Sequence, residues 1–314
     1  KCELEMIDCY VEFPYEFKAD DKFFAAGYQS WTFTREYGKD DVMKGTIKLS
    51  HIHSYLRHYA SITSDDRIVK YSEVPGEFHS HGYTYIRNGE LRDNITTEDD
   101  GTVWLKGLPM VDQGDKGYCV PATLARVFAY YGMDKVDQHA LAAVCDSSAD
   151  GGTSSRGMEQ AMRDVCKQFR TKFIVLDDYA TNLKSVIEPY NKIAKREDKA
   201  PLTPMGDVFA TADAGVLRQA RAGKPTQVNK WMKDIKKSID SGTPVIWMVM
   251  LGIYKEEIGL PQSRGGHARL IIGYNLKKKT IIYTDSWGAA HARKTIKAAD
   301  AAAMTTGRYI IKLR

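Results

Sequence analysis

Two kinds of sequence follow one another along the chain, and the change comes near residue 105. From residue 106 onward, segments with apolar residues at helical spacing alternate with short apolar runs at strand spacing. A helical segment over 119–131 leads this part, and the predicted strands follow it at 245–251, 267–274, 280–285 and 308–313. A leading helix that packs on such an antiparallel sheet predicts an α+β domain over residues 106–314.

Residues 1–105 form a contrasting part, in which short runs rich in Tyr, Phe and Thr are broken by Gly, Asp and Pro. This texture is typical of strands and turns, so we predict a β-rich N-terminal unit. It carries 12 Lys and Arg against 19 Asp and Glu, a net charge of −7, whereas residues 106–314 carry 33 against 21, a net charge of +12. The difference favours two units with different surfaces, 1–105 and 106–314.

The basic character of the second unit does not indicate a nucleic-acid partner, because no run of basic residues interleaves with aromatic ones. The longest apolar run, 244–251, is far shorter than the roughly 20 residues that a membrane-spanning helix needs. We therefore expect a soluble protein that binds neither nucleic acid nor the membrane interior.

Cys119 follows a glycine-punctuated loop and begins the predicted helix. At the N-terminus of a helix, the partial positive charge of the backbone stabilises a thiolate and lowers the pKa of the thiol, and the thiolate is the nucleophile. Pro121 suits this first turn, because its missing N–H would have no partner there. Gln113, six residues before the cysteine, carries an amide that would join the Cys119 N–H in a pair of donors for a developing oxyanion.

His267 and Asp285 lie in two further segments that suit the same chemistry. His267 follows two glycines at the start of an apolar strand, where its imidazole is expected to face the cysteine and exchange a proton with it. A hairpin of 267–274 with 280–285 would bring Asp285 close to His267, to fix the tautomer and stabilise the imidazolium. The sequence therefore predicts a catalytic site built on a thiol.

In order and separation, three segments resemble the papain superfamily of cysteine peptidases: Gln113-Gly114 with Cys119, Gly266-His267-Ala268 and Asp285-Ser286-Trp287-Gly288. The bacterial branch of bacteriocin leader-processing peptidases is similar in more detail, since Cys-Gly-Pro-Ala stands there for Cys119-Val120-Pro121-Ala122 and an aspartate is common at the third catalytic position. The resemblance implies a papain-like fold, in which the helix that bears the cysteine packs on an antiparallel sheet.

The same resemblance implies roles for four residues. Cys119 is the nucleophile, His267 the general base and acid, Asp285 the residue that orients it, and Gln113 the oxyanion donor. The implied reaction is thiolate attack on the carbonyl of a peptide or protein substrate through a thioester acyl-enzyme, with no cofactor and no metal. Trp287 is expected to pack over the three catalytic residues.

Two positions depart from the pattern, because papain-type enzymes usually have Asn at the position of Asp285 and Val120 replaces a small residue of the bacterial branch. No GxxxxGK[ST] segment is present, which disfavours an export-coupled leader peptidase. Two alternatives stay open. In one the acyl-enzyme is resolved by an amine, as in a transglutaminase-like acyltransferase; in the other the chain is a catalytically inactive papain-like binding protein.

Within the first unit, residues 24–88 resemble the N-terminal β-sandwich of some bacterial α-galactosidases, through the segments 24–37 and 81–85. The resemblance implies a β-sandwich and no glycosidase activity, since the catalytic barrel of that family has no counterpart here. Two histidine pairs in this unit, 51 with 53 and 79 with 81, have spacing that a metal site could use, but we interpret them as ordinary strand histidines.

The chain has five cysteines, and none of them forms a CxxC pair: Cys2, Cys9, Cys119, Cys145 and Cys166. With Cys119 assigned to catalysis, the other four either form two disulfides in one of three pairings or stay reduced, with Cys145 and Cys166 in the core. The start of the chain, which has neither Met nor an apolar leader, and the secreted or envelope-facing bacterial relatives together predict an extracytoplasmic location.

Overall fold

The structure is a computed structural model, and its described residues fall into two parts. In the first 85 residues it describes the backbone of five strands. From there it describes residues 86–313 apart from 88, 115–116, 134–135, 137, 139–140, 143–144, 146, 148–154, 170, 206, 255 and 257–263.

The strands of the first part are β1 (Glu5–Ile7), β2 (Tyr10–Glu16), β3 (Phe23–Ala26), β4 (Thr34–Tyr37) and β5 (Val42–Lys48). Strands β1, β2 and β5 pair in that order in one sheet, and β3 pairs with β4 in another. These strands agree with the predicted β-rich character. Most of the segment that resembles the galactosidase sandwich lies outside the described residues, and that resemblance stays a prediction.

The second part contains most of the regular structure. Its helices are α1 (Cys119–Tyr130), α2 (Ser155–Gln168), α3 (Lys184–Ala194), α4 (Val208–Thr211), α5 (Ala214–Ala222), α6 (Pro225–Ile239) and α7 (Ala298–Met304). Its strands are β6 (Ile95–Thr97), β7 (Val103–Leu105), β8 (Thr171–Asp178), β9 (Val245–Leu251), β10 (Gly265–Asn275), β11 (Thr280–Thr284), β12 (Lys294–Lys297) and β13 (Thr305–Leu313).

Strands β6 to β13 form one sheet, in which all described pairings are antiparallel and the central order is β12-β11-β10-β9-β13-β8. The long strand β10 pairs with β9 over Gly265–Ile271 and with β11 over Leu270–Asn275. This arrangement confirms the α+β class and the predicted hairpin between β10 and β11.

Strands β6 and β7 belong to this sheet and Leu91 belongs to its core, although the charge and residue types of the sequence had placed them in the N-terminal unit. Strand β7 pairs with β10 opposite Gly273 and Tyr274, and β6 pairs with β7. Position 273 allows this approach because it is a glycine: a Cβ there would lie 2.5 Å from the Val103 carbonyl oxygen. The boundary at 105/106 was drawn from net charge and from the residue types on each side, and neither shows which strands pair. That boundary stays a prediction.

Helices cover both faces of the sheet. Side chains alternate along β9, so that Ile246 joins the core beneath α1 and α2 while Trp247 joins the core beneath α3, α5, α6 and α7. The predicted apolar stripe of α1 is buried in the first of these cores at 120, 124, 127, 128 and 131. Among the described residues, none of the helices is both long enough and apolar enough to cross a membrane.

Local signals set several helix ends. Helix α1 ends before Gly132, whose φ of 87° suits glycine, and the N–H of Met133 reaches back to the Phe128 carbonyl over 2.9 Å. Pro225 begins α6. Helices α4 and α5 begin after Asp207 and Asp213, whose carboxylates accept backbone N–H groups at 2.9 to 3.1 Å.

Other elements differ from what the local sequence pattern predicts. The pattern over 199–226 predicts no regular element, yet α4 and α5 form there, and β8 also forms without a clear signal. The pattern over 179–196 predicts a helix, and the helix observed there, α3, begins at Lys184. The pattern over 295–304 also predicts a helix, whereas β12 precedes the short α7 there. Strands β8 and β12 lie at the two ends of the central order, so their pairing, more than their own sequence, sets their conformation.

Candidate active site

Cys119 is the first residue of α1, and the residue is partly buried. The N–H of Ala122 donates to the Tyr118 carbonyl over 2.9 Å and begins the helical turn beneath the sulfur. Burial raises the pKa of the Cys119 thiol, but a hydrogen bond and charge from His267, with backbone N–H groups of Ala268 and Val120, outweigh burial and lower that pKa below its ordinary value. The local structure therefore favours the thiolate.

His267 lies near the start of β10 and is buried. Its Nε2 lies 2.6 Å from Oδ1 of Asp285, which leaves Nδ1 as the nitrogen that faces Cys119. Burial lowers the pKa of the imidazole, but attraction to the Asp285 carboxylate and contact with Cys119 outweigh burial and raise it to about 9. At neutral pH both nitrogens of the His267 ring accordingly carry a proton.

Asp285 follows the last residue of β11 and is fully buried. The register that pairs Leu270 with Thr284 brings the end of β11 alongside the start of β10. Oδ1 of Asp285 also accepts the Ser286 N–H at 2.9 Å, and Oδ2 accepts Nε of Arg269 at 2.6 Å. Burial would raise the pKa of this carboxyl, but His267 and Arg269 hold it below its ordinary value.

Gln113 is tied to the residue after Asp285. Its backbone N–H donates to the Ser286 carbonyl over 2.8 Å, and the Ser286 hydroxyl donates to Oε1 of Gln113 over 2.6 Å. Because that hydroxyl takes the acceptor end of the amide, the side-chain NH₂ of Gln113 points away from Ser286. The sequence analysis named Ser286 within a motif but gave it no role.

Trp287 packs on His267, with ring centroids 4.3 Å apart and an angle of 15° between the planes. The indole is partly buried, and the ring of His291 meets it edge-on at 5.7 Å. This stacked ring shields the bond between His267 and Asp285 from water, which keeps their attraction strong.

Arg126 is a site residue that the sequence analysis missed. It lies seven residues after Cys119 on α1, so both face the sheet, and it is buried. Its guanidinium donates to the carbonyls of Pro109 and Asp285 and to Oγ1 of Thr284, at 2.8, 2.8 and 2.6 Å. Arg126 thereby joins the cysteine helix to the strand end that bears Asp285. In the sequence, the sign of this role is that Arg126 is the one charged residue of an otherwise uncharged helix.

Arg269 and Glu256 are also buried beside the site, and neither had been assigned to it. The guanidinium of Arg269 contacts both Asp285 and Glu256. Its place in the loop before His267 suits Glu256 to a role in specificity by sequence alone, whereas the structure turns this carboxylate inward onto Arg269. In the sequence, the sign of this contact is that Arg269 is the one charged residue in the apolar strand after His267.

The other cysteines and histidines contribute no second site in the described part of the chain. Cys145 and Cys166 are free and buried, and burial raises the pKa of their thiols to about 12 and about 11. No three described His, Cys, Asp or Glu side chains come together as a metal site. Cys2, Cys9 and the paired strand histidines lie outside the described residues. Cys145 and Cys166 form no disulfide with each other, and the extracytoplasmic location stays a prediction.

Comparisons with known proteins bear on the second part of the chain. A crystal structure of xylellain, a cysteine protease from Xylella fastidiosa, matches with 14% identity and a TM-score of 0.37, over 77% of this chain and 95% of that chain. No curated protein matches the sequence. The model of the Peptidase_C39 like family matches residues 105–311, well over half of the chain. The chain belongs to the Peptidase_C39 like family.

Proposed function

We propose that this protein hydrolyses peptide or amide bonds in a peptide or protein substrate, with the Cys119 thiolate as nucleophile. The observation that carries the proposal is the line of three side chains in which the Cys119 thiol contacts His267, and His267 contacts buried Asp285 at 2.6 Å. Family membership supports the peptidase activity, and the geometry supports the roles of these residues.

The charges around the site favour a thiolate paired with an imidazolium. The raised pKa of His267, about 9, and the lowered pKa of Cys119 allow the proton to rest on the ring at neutral pH. Because Asp285 stays ionised, it compensates the charge on the ring. Such a pair has its nucleophile ready before the substrate binds.

In acylation, the sulfur of Cys119 attacks the substrate carbonyl carbon, and the carbonyl oxygen becomes an oxyanion. We assign the Cys119 N–H and the NH₂ of Gln113 as donors to that oxygen. His267 then gives its Nδ1 proton to the leaving nitrogen, the carbon–nitrogen bond breaks, and a thioester and a free amine remain.

In deacylation, Nδ1 of His267 takes a proton from water while the water oxygen attacks the thioester carbon. The carbon–sulfur bond breaks, the acid product leaves, and the thiolate and the imidazolium are restored. Asp285 keeps Nε2 as the nitrogen that holds its proton throughout, so that Nδ1 does the exchange.

The test compares the wild-type chain, Cys119→Ala and the matched control Cys166→Ala on an unfolded protein substrate and a peptide library, with products identified by mass spectrometry. We expect the wild type and Cys166→Ala to cleave alike and Cys119→Ala to lose about 10³-fold or more of the rate. A Cys119→Ala variant with wild-type activity would overturn the proposal.

Selective alkylation supplies an internal control. At pH 7 a thiol of pKa about 11 is ionised in roughly one molecule in 10⁴, so iodoacetamide should label Cys119 at least about 10³-fold faster than Cys166. Equal and slow labelling, with no cleavage, is the result expected of an inactive binding protein. Adding primary amines separates hydrolysis from acyl transfer, because only the acyltransferase would turn over mainly to amide products.

A further inference from the structure

Arg269 is a buried guanidinium that contacts the carboxylate of Asp285. It lies two residues after His267 on β10 and has no exposed side-chain surface. Its Nε donates to Oδ2 of Asp285 at 2.6 Å, and its Nη1 donates to both oxygens of Glu256 at 3.0 and 2.9 Å. One guanidinium therefore binds two carboxylates at once.

The surroundings hold this guanidinium in place. Glu256, in the connection between β9 and β10, also accepts the hydroxyl of Tyr283 at 2.8 Å. The ring of Tyr283 lies 4.7 Å from Cζ of Arg269, and the rings of Trp247 and Trp287 lie at 5.9 and 5.7 Å. Arg269 contacts Asp285 directly, and it lies against Trp287, the ring that stacks on His267.

Every described neighbour of the Asp285 carboxylate is a donor. Oδ1 faces Nε2 of His267 and the Ser286 N–H, and Oδ2 faces Nε of Arg269. An asparagine has one acceptor oxygen and one NH₂ group, so it would point that NH₂ either at His267 or at Arg269. Papain-type enzymes usually have asparagine at this position, whereas the donors of this site suit only an acid.

The charges of the cluster balance. The titratable groups around Asp285 are His267 and Arg269 from β10, Arg126 from α1 and Tyr283 from β11. Behind them, Cys119 contacts His267 and Glu256 contacts Arg269. The two carboxylates offset the two guanidinium groups, and the thiolate offsets the imidazolium. A proton that moves from Cys119 to His267 leaves the balance unchanged.

We propose that Arg269 is a positioning residue of the catalytic site, which holds the outer oxygen of Asp285, is itself held by Glu256, and makes an acid obligatory at position 285. This inference rests on the proposed function. Its distinctive consequence is a coupling between positions 269 and 285. The Oε1 of a glutamine can occupy the place of Nε, so Arg269→Gln exchanges a donor for an acceptor and should make Asp285→Asn tolerable.

The experiment is a double-mutant cycle in the Glu256→Gln background, which avoids an unpaired Glu256 when Arg269 is removed. The four proteins are Glu256→Gln alone and the same variant with Arg269→Gln, with Asp285→Asn, and with both. The rate of Cys119 alkylation by iodoacetamide is measured from pH 5 to pH 10, together with kcat and KM, on protein whose folding is checked by urea unfolding.

In the Glu256→Gln background we expect Asp285→Asn to raise the pKa of the thiol and so to lower the alkylation rate at the acid end of the profile, by up to about tenfold for each unit that the pKa rises. Adding Arg269→Gln should restore at least about fivefold of that loss, within the range of couplings between contacting residues. Single changes whose effects multiply within about twofold would overturn the role of Arg269.

A conservative variant covers the case in which Asp285→Asn does not fold. A lysine offers one charged group that reaches Asp285 or Glu256 but not both, so Arg269→Lys should lower kcat about tenfold with little change in KM. An unchanged kcat and pH profile would contradict the inference. The proposed function fails separately, if wild-type Cys119 labels no faster than Cys166 and Cys119→Ala keeps its activity.

Discussion

Removal of the Cys119 thiol should change how the stability of the protein depends on pH. In the folded wild type around neutral pH, His267 is an imidazolium and Cys119 is a thiolate, because the pKa of His267 is raised and that of Cys119 is lowered. In the unfolded state, between pH 6.5 and 9, the proton sits on the cysteine and the histidine is neutral. Both states then bind the same number of protons, so this pair contributes little pH dependence.

The two contributions have opposite signs. The raised pKa of His267 stabilises the folded state fully below pH 6.5 and is lost as the pH rises through about 9, whereas the lowered pKa of Cys119 stabilises it above pH 9 and is lost as the pH falls. In Cys119→Ala only the first remains. A rise from 6.5 to about 9, at about 1.4 kcal/mol per unit, sets an upper limit of about 3.5 kcal/mol lost across this window, and the part of the rise that comes from Cys119 leaves with the thiol.

The assay is urea unfolding of the wild type and Cys119→Ala at intervals from pH 6 to pH 9.5, with Cys119→Ala/Asp285→Asn as the control. The difference between the first two curves removes every group that they share. We expect Cys119→Ala to lose stability relative to the wild type as the pH rises, and the control to lose much less. Parallel curves for the wild type and Cys119→Ala would refute the paired thiolate and imidazolium.

Three further variants test other parts of the site. Gln113→Ala should lower kcat about 10²- to 10³-fold with little change in KM in steady-state kinetics, and an unchanged kcat would contradict an oxyanion role. Arg126→Met leaves three buried acceptors without their donor and should lower the free energy of unfolding by about 3 kcal/mol in urea titration. Trp287→Ala admits water to His267, so the alkaline limb of the pH–rate profile should move from about 9 toward 6.5; a limb that stays in place would show that the indole does not shield the ring.

Much of the fold could be predicted because its signals are local. The stripe of α1, the Gly132 stop, the apolar strand β9 and the hairpin of β10 with β11 each follow from periodicity or a turn within a few residues. Strand β8 carries no comparable signal, and it forms at one end of the central order through its pairing with β13.

The site divides in the same way. The order and spacing of Gln113, Cys119, His267 and Asp285 already indicated a thiol mechanism, and the structure places the last three in contact. It ties Gln113 to Ser286, which is a contact that the spacing of the motifs does not encode.

The sequence by itself determined the helix that begins at Cys119, the antiparallel hairpin behind it and the residue types of a cysteine hydrolase, because these depend on local periodicity and side-chain chemistry. The tertiary structure alone decided which charges surround them. Arg126 and Arg269 lie among apolar residues in the sequence. Their charges are tolerated in the core only because carbonyls and carboxylates from distant parts of the chain bind them there. A buried charge needs partners from several elements at once, and only the folded chain brings those partners together.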